Sequence, residues 1–179
     1  MTQLQPLIRG VPALQYLADV PDNERTLIIV GDHPDKAVDR LAAVESVDLS
    51  TSFSMMAINS AGEGRGMYDY CATLHSYNVG LPEFPVSTIH HRTQVIGLAC
   101  GCEAERVDMT IDAEPVGGTS ALFAVIVGLV LGYKQIYLAG VRLEPGSVYY
   151  DEHVEANWKL WKPVLSPHLR VIGDSWLKE

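Results

Sequence analysis

The chain has 179 residues, 47% of them hydrophobic and 20% charged, and its formal net charge is −9. That balance excludes a disordered chain and argues against non-specific binding to a nucleic-acid backbone, so no nucleic-acid partner is expected. The longest apolar run, Ala121 to Leu131, is too short to span a bilayer, so no membrane partner is expected either. The opening MTQLQPLIRG lacks the basic start and apolar run of a signal peptide. Cys71, Cys100 and Cys102 suit a reducing compartment better than a disulfide scaffold, and the expected location is cytoplasmic. The length fits one domain over residues 1–179.

In chain order, Val11 to Val20 reads as a short outer helix. TLIIVG (Thr26–Gly31) reads as a buried strand, by its continuous apolar run and glycine end. Pro34 opens a helix over Lys36–Ser46, with Ala37, Leu41 and Val44 at roughly helical spacing. SFSMMAIN (Ser52–Asn59) reads as a second strand and Ser60–Gly66 as a glycine-rich loop in which Arg65 can meet phosphate. YDYCATLH (Tyr68–His75) reads as a third strand and VSTIHH (Val86–His91) as a fourth. Thr93–Glu105 reads as a short helix or an irregular link, and RVDMTI (Arg106–Ile111) as a fifth strand.

GGTSALFAVIVGLVLGYKQIYLAGV (Gly117–Val141) is the most informative stretch. Gly117 and Gly118 form a turn, Thr119 or Ser120 caps a helix running to about Leu131, and QIYLAG (Gln135–Gly140) is a strand. The helix has almost no polar residue, so it is expected to be buried all round. A glycine turn feeding a helix N-terminus presents free N–H groups and a positive dipole end, a ready site for phosphate. DEHVEANWKLW (Asp151–Trp161) is a further helix and LRVIG (Leu169–Gly173) a last short strand. The alternation implies an α/β fold: a single Rossmann-like domain, its sheet mostly parallel and covered by helices on both faces.

In such a sheet ligands bind beyond the carboxyl ends of the strands. Those ends are polar here: Asp32 and His33, Asn59 and Ser60, Thr73 and His75, His90 to Arg92, and Gly140 followed by Arg142. Together they point to a site for a polar, phosphate-bearing ligand. A second cluster, Tyr149, Tyr150 and His153, stands at the opening of the last helix, where tyrosines can stabilise a leaving phosphate and a histidine can take a proton. His33, His75 and His90 lack close ligand spacing, and the Cys100–Cys102 pair lacks a second pair, so no metal site is expected.

Gly117–Val141 resembles a segment of bacterial CMP-sialic-acid-dependent sialyltransferases, in which a small-residue turn, an apolar helix and Leu-Gly-Tyr-Lys-x-Ile-Tyr-Leu-x-Gly follow one another. It is equally similar to archaeal hydroxymethylpterin diphosphokinase-like proteins and to short phage-borne proteins of the same build. TLIIVGDHPD stands where those families have a strand and Gly-Asn-Gly-Pro-Ser, and MMAINSAG where they have a strand ending in Asn. The resemblance implies a nucleotide or nucleotide-sugar held between Gly31–Pro34, Asn59 and Gly118–Ser120. It also implies Tyr149 and Tyr150 near the leaving phosphate and His153 as general base. Asp32 and His33 depart from the Asn-Gly pair, and Asp35 from the serine.

The expected function is group transfer from a nucleotide or nucleotide-sugar, glycosyltransferase-like, with Arg142 or Arg92 neutralising phosphate. One alternative is an ATP- and Mg²⁺-dependent diphosphokinase-like transferase with Asp32, Asp112 or Glu114 on the metal. Another is a non-catalytic phage or bacterial accessory protein that binds a nucleotide. The small size and apolar helix are compatible with a homodimer.

Overall fold

The computed structural model describes residues 26–48, 51–59, 68–75, 93–99, 107–111, 113, 119–144, 152–173 and 175–178. Among these residues seven parallel strands form one sheet: β1 (Thr26–Val30), β2 (Phe53–Ile58), β3 (Tyr70–Thr73), β4 (Gln94–Leu98), β5 (Met109–Ile111), β6 (Gln135–Ala139) and β7 (Leu169–Val171). Helices α1 (Lys36–Ser46), α2 (Ser120–Val130) and α3 (Glu152–Leu165) connect or flank them, and a 3-10 turn spans Trp176–Lys178. The expected α/β class, parallel and Rossmann-like, is the observed one.

The strand order is β5-β4-β3-β2-β1-β6-β7. The chain steps outward from β1 to β5, then α2 carries it back so that β6 pairs with the other side of β1. β1 is therefore an inner strand and the point of reversal. Its residues alternate between two cores. Leu27 and Ile29 join the large core with α2 and α3, while Ile28 and Val30 join a smaller one with Ala43, Val47 and Ala139 on the α1 side. Helices thus cover both faces.

α2 is buried along nearly its whole length because one side lies on the sheet and the rest is enclosed in the large core. Thr119 is its cap: the Thr119 hydroxyl accepts the Leu122 N–H at 3.1 Å. At Gly128 the helix comes so close to the sheet that an added Cβ would stand 2.8 Å from Leu27 Cδ2 and 3.0 Å from Ile136 Cδ1.

Several boundaries differ from expectation. Thr93–Glu105 does not form a helix or link throughout, since Gln94–Leu98 is β4, with Val95 and Ile96 fully buried. Its short apolar run is a strand because it pairs on both sides, with β3 and β5. β3 and β5 start later than Tyr68 and Arg106 for a shared reason. Asp69 donates its N–H to the Met55 carbonyl (2.9 Å) and accepts the Met55 N–H on Oδ2 (2.9 Å). Asp108 does the same with Val95, at 2.9 and 2.8 Å. Each aspartate side chain takes an N–H that a ladder carbonyl would otherwise accept. α3 runs past Trp161 and Pro163 to Leu165, which is 2% exposed and packs in the large core. The readings at Val11–Val20, Ser60–Gly66 and Val86–His91 lie outside the described residues.

α1 has the expected limits but a different inner face. Ala37 and Leu41 are exposed, and Asp39 and Ala43 are the buried residues. An ionisable side chain faces the sheet where apolar spacing predicted otherwise.

Candidate functional site

At the carboxyl edge, where β1 and β6 part, a cavity of about 320 Å³ opens. Its walls come from Gly31 to Pro34 after β1, Ile58 and Asn59 at the end of β2, and His75 after β3. Thr119 to Ala121 at the start of α2 and Gly140 to Leu143 after β6 close it. The structure thus brings together Gly31, Asp32, His33, Asn59, His75, Thr119, Ser120 and Arg142, eight residues that the sequence pointed to. Ser60, His90, Arg92, Gly117, Gly118, Tyr149 and Tyr150 lie outside the described residues. His153 is exposed in the first turn of α3 and does not line the cavity.

The two turns after β1 and β6 are locked together. Gly31 donates to the Ala139 carbonyl at 2.8 Å and His33 to the Gly140 carbonyl at 3.1 Å. A Cβ on Gly31 would stand 2.5 Å from the Gly140 oxygen, so only glycine fits. Gly140 has φ +63°, and a Cβ there would lie 2.7 Å from Lys36 Cβ.

Asp39, which sequence reasoning passed over, holds this arrangement from beneath. Its side chain is 7% exposed, its Oδ2 accepts the Gly140 N–H at 3.2 Å, and its Oδ1 lies 3.9 Å from Arg142 Nη2. A Cβ on Gly173, at φ +78°, would stand 2.8 Å from both Asp39 oxygens. The sequence signal that would have found it is an acidic residue one turn into α1 with glycines at two strand ends.

Charges on this side are paired internally. Asp35, the N-cap position of α1, makes no side-chain cap bond and its carboxylate takes Arg142 Nη2 at 2.8 Å. Lys36 Nζ pairs with Asp32 one turn earlier. The Asp35 N–H donates to His33 Nδ1 at 3.2 Å, which leaves Nε2 carrying the proton of the neutral ring. Arg142 therefore serves as a strut between two carboxylates. The opposite wall is different in character: α2 has no acidic residue in its first turn, and helix geometry leaves its opening N–H groups without intrahelical acceptors.

Asn59 has φ +49°, the one positive value among the described residues other than glycine. Strained backbone of this kind gathers at ligand sites. Asn59 Oδ1 and Arg142 Nε are buried without hydrogen-bond partners among the described residues. They are one acceptor and one donor, on residues of the same cavity. Cys71 lies beneath: its Sγ–H donates to the Asn59 carbonyl at 3.3 Å, and burial pushes the thiol up to about 12. Among the described residues no three His, Cys, Asp or Glu side chains gather as a metal-binding group, and no helix is long and apolar enough to cross a membrane.

A scan of protein-family models found no match to the chain, and neither curated proteins nor solved structures gave one.

Proposed function

We propose that this cavity binds a nucleotide or nucleotide-sugar and that the chain transfers a group from it. The reading rests above all on position: the cavity opens where the strand order reverses, between β1 and β6, with the α2 N-terminus on its rim. In the proposed pose the phosphate meets Thr119, Ser120 and Ala121, where the helix dipole is positive and no carboxylate stands in the first turn. The hydroxyls and base face Asp32, His33 and Asn59, where carboxylate and amide oxygens accept hydrogen bonds. The cavity volume is at the small end of ligand sites, which suits one nucleoside moiety better than a dinucleotide. The resemblance of Gly117–Val141 to sialyltransferases supports transfer as the reaction, with Tyr149 and Tyr150 at the leaving phosphate and His153, exposed at the start of α3 and outside the cavity lining, as the base that meets the acceptor hydroxyl.

A thermal-shift screen of nucleotides and nucleotide-sugars, with and without Mg²⁺, tests the reading. A true ligand at 100 times its Kd adds roughly 2.7 kcal/mol. Stabilisation by CMP-type ligands without metal supports this pose, whereas ATP acting only with Mg²⁺ replaces it with diphosphokinase chemistry. With a substrate in hand, His153→Ala should lower kcat by about 10²–10⁴-fold and leave nucleotide affinity nearly intact. Full turnover in that variant would remove His153 from the mechanism.

A further inference from the structure

A larger cavity, about 560 Å³, lies between α3, β7 and the Trp176–Lys178 turn, and shares no lining residue with the first. Its charged lining is all of one sign: Lys159, Lys162, Arg170 and Lys178, with no carboxylate among the described lining residues. These are four of the thirteen Lys and Arg in a chain of net charge −9. Such a gathering runs against the overall charge and creates a local positive field within a concave wall. Lys159 pairs with Glu155 on the next turn of α3, and the Arg170 guanidinium donates to the Leu169 carbonyl at 3.0 Å. Lys162 and Lys178 enter no ion pair with the described residues.

Between the cations the wall is apolar, formed by Leu165, Leu169, Val171 and Leu177. Trp158 belongs to it too. It is 3% exposed, and its indole Nε1 has no acceptor among the described residues. A buried indole N–H normally finds a partner, so an orphaned donor beside a basic cavity points to an acceptor from outside the chain.

We propose that this cavity is a second binding site, for a small amphiphilic anion. A carboxylate, sulfonate or phosphate head lies against Lys162, Arg170 and Lys178 and accepts the Trp158 Nε1–H, and an aryl or alkyl body lies against Leu165, Leu169 and Leu177. The apolar wall sets this ligand apart from a bare inorganic ion, and the concave shape sets it apart from a flat lipid surface.

The probe is anilinonaphthalene sulfonate, titrated by fluorescence into the full folded chain, with decanoate, inorganic phosphate, CMP and anionic vesicles as competitors. Saturable one-to-one binding displaced by decanoate is expected. The double variant Lys162→Glu/Arg170→Glu, at two exposed positions, should weaken it by about tenfold or more. Trp158→Phe keeps the apolar wall, removes the donor and should weaken decanoate binding. Unfolding curves of each variant separate loss of binding from loss of fold. Unchanged affinity in the folded double variant overturns the proposal. So does displacement by CMP, which would put the dye in the first cavity, or a preference for vesicles over decanoate, which would make this face a membrane contact. Because CMP and decanoate are read separately, failure of the nucleotide reading leaves this result intact.

Discussion

Helices α1 and α2 pack on opposite faces of the sheet, α1 on β1 and β6 and α2 across β3, β2, β1 and β6, and they use that place differently. α2 offers the sheet an unbroken apolar surface, with Leu122 to Val127 all at 1% exposure or less. α1 leaves Val38 and Leu41 in solvent, at 68% and 58% exposure, and turns Asp39 inward. Apolar burial on the α2 face is non-directional and holds the sheet whatever the details of its edge. A buried carboxylate is directional, and the Gly140 N–H and the Arg142 guanidinium find it only in one arrangement of the two strand-end turns. One face holds the fold, and the other holds the geometry of the site.

The largest break should come from the α2 side. Phe123 is fully buried in the large core, and Phe123→Ala should cost about 3–5 kcal/mol in denaturant unfolding. A loss below about 1 kcal/mol would mean that the α2 face is not the principal source of stability.

Alkaline pH probes the other face through Cys71. Ala72 points into the α2 core, so Cys71 points to the α1 side. Burial raises its pKa from 9.0 to about 12. The contribution is fully present below the unfolded value and is lost as pH rises toward the folded one. Stability should fall with pH above about 9, by on the order of a few kcal/mol at pH 11, beyond the fall seen in Cys71→Ala. Parallel curves for the two proteins would show that the thiol is not held in its protonated form.

Asp39→Ala sharpens the comparison most directly. It leaves the Gly140 N–H without its acceptor and Arg142 with Asp35 alone, so a loss of about 1–3 kcal/mol is expected. Its effect on nucleotide affinity should exceed that of Phe123→Ala measured in the folded protein. Equal effects on affinity would erase the proposed division between the faces.

Thr119→Val is the smallest step, because it removes only the cap hydroxyl from Leu122 N–H. A cost of about 1 kcal/mol is expected from the melting curve. Phosphate-dependent stabilisation should weaken alongside it, since Thr119 also lines the cavity.

The sequence by itself determined the parts whose signals are local. The runs TLIIV and QIYLA read as strands, the α2 helix had no polar face to expose, and Thr119 was already in the place of a cap. Four strand ends were equally legible, and with them Gly31 to His33, Asn59, His75 and Arg142, whereas His90 to Arg92, read as a strand end, come before β4 in the chain. The tertiary structure decided what depended on partners far along the chain. Gln94–Leu98 became a strand through pairing with β3 and β5, and Asp69 and Asp108 set where those neighbours begin. The inner face of α1 was decided by Gly140 and Arg142, about 100 residues away, whose N–H and guanidinium meet Asp39 there. Periodicity records only apolar burial, so a buried aspartate whose hydrogen-bond partners lie on another strand leaves no mark in it.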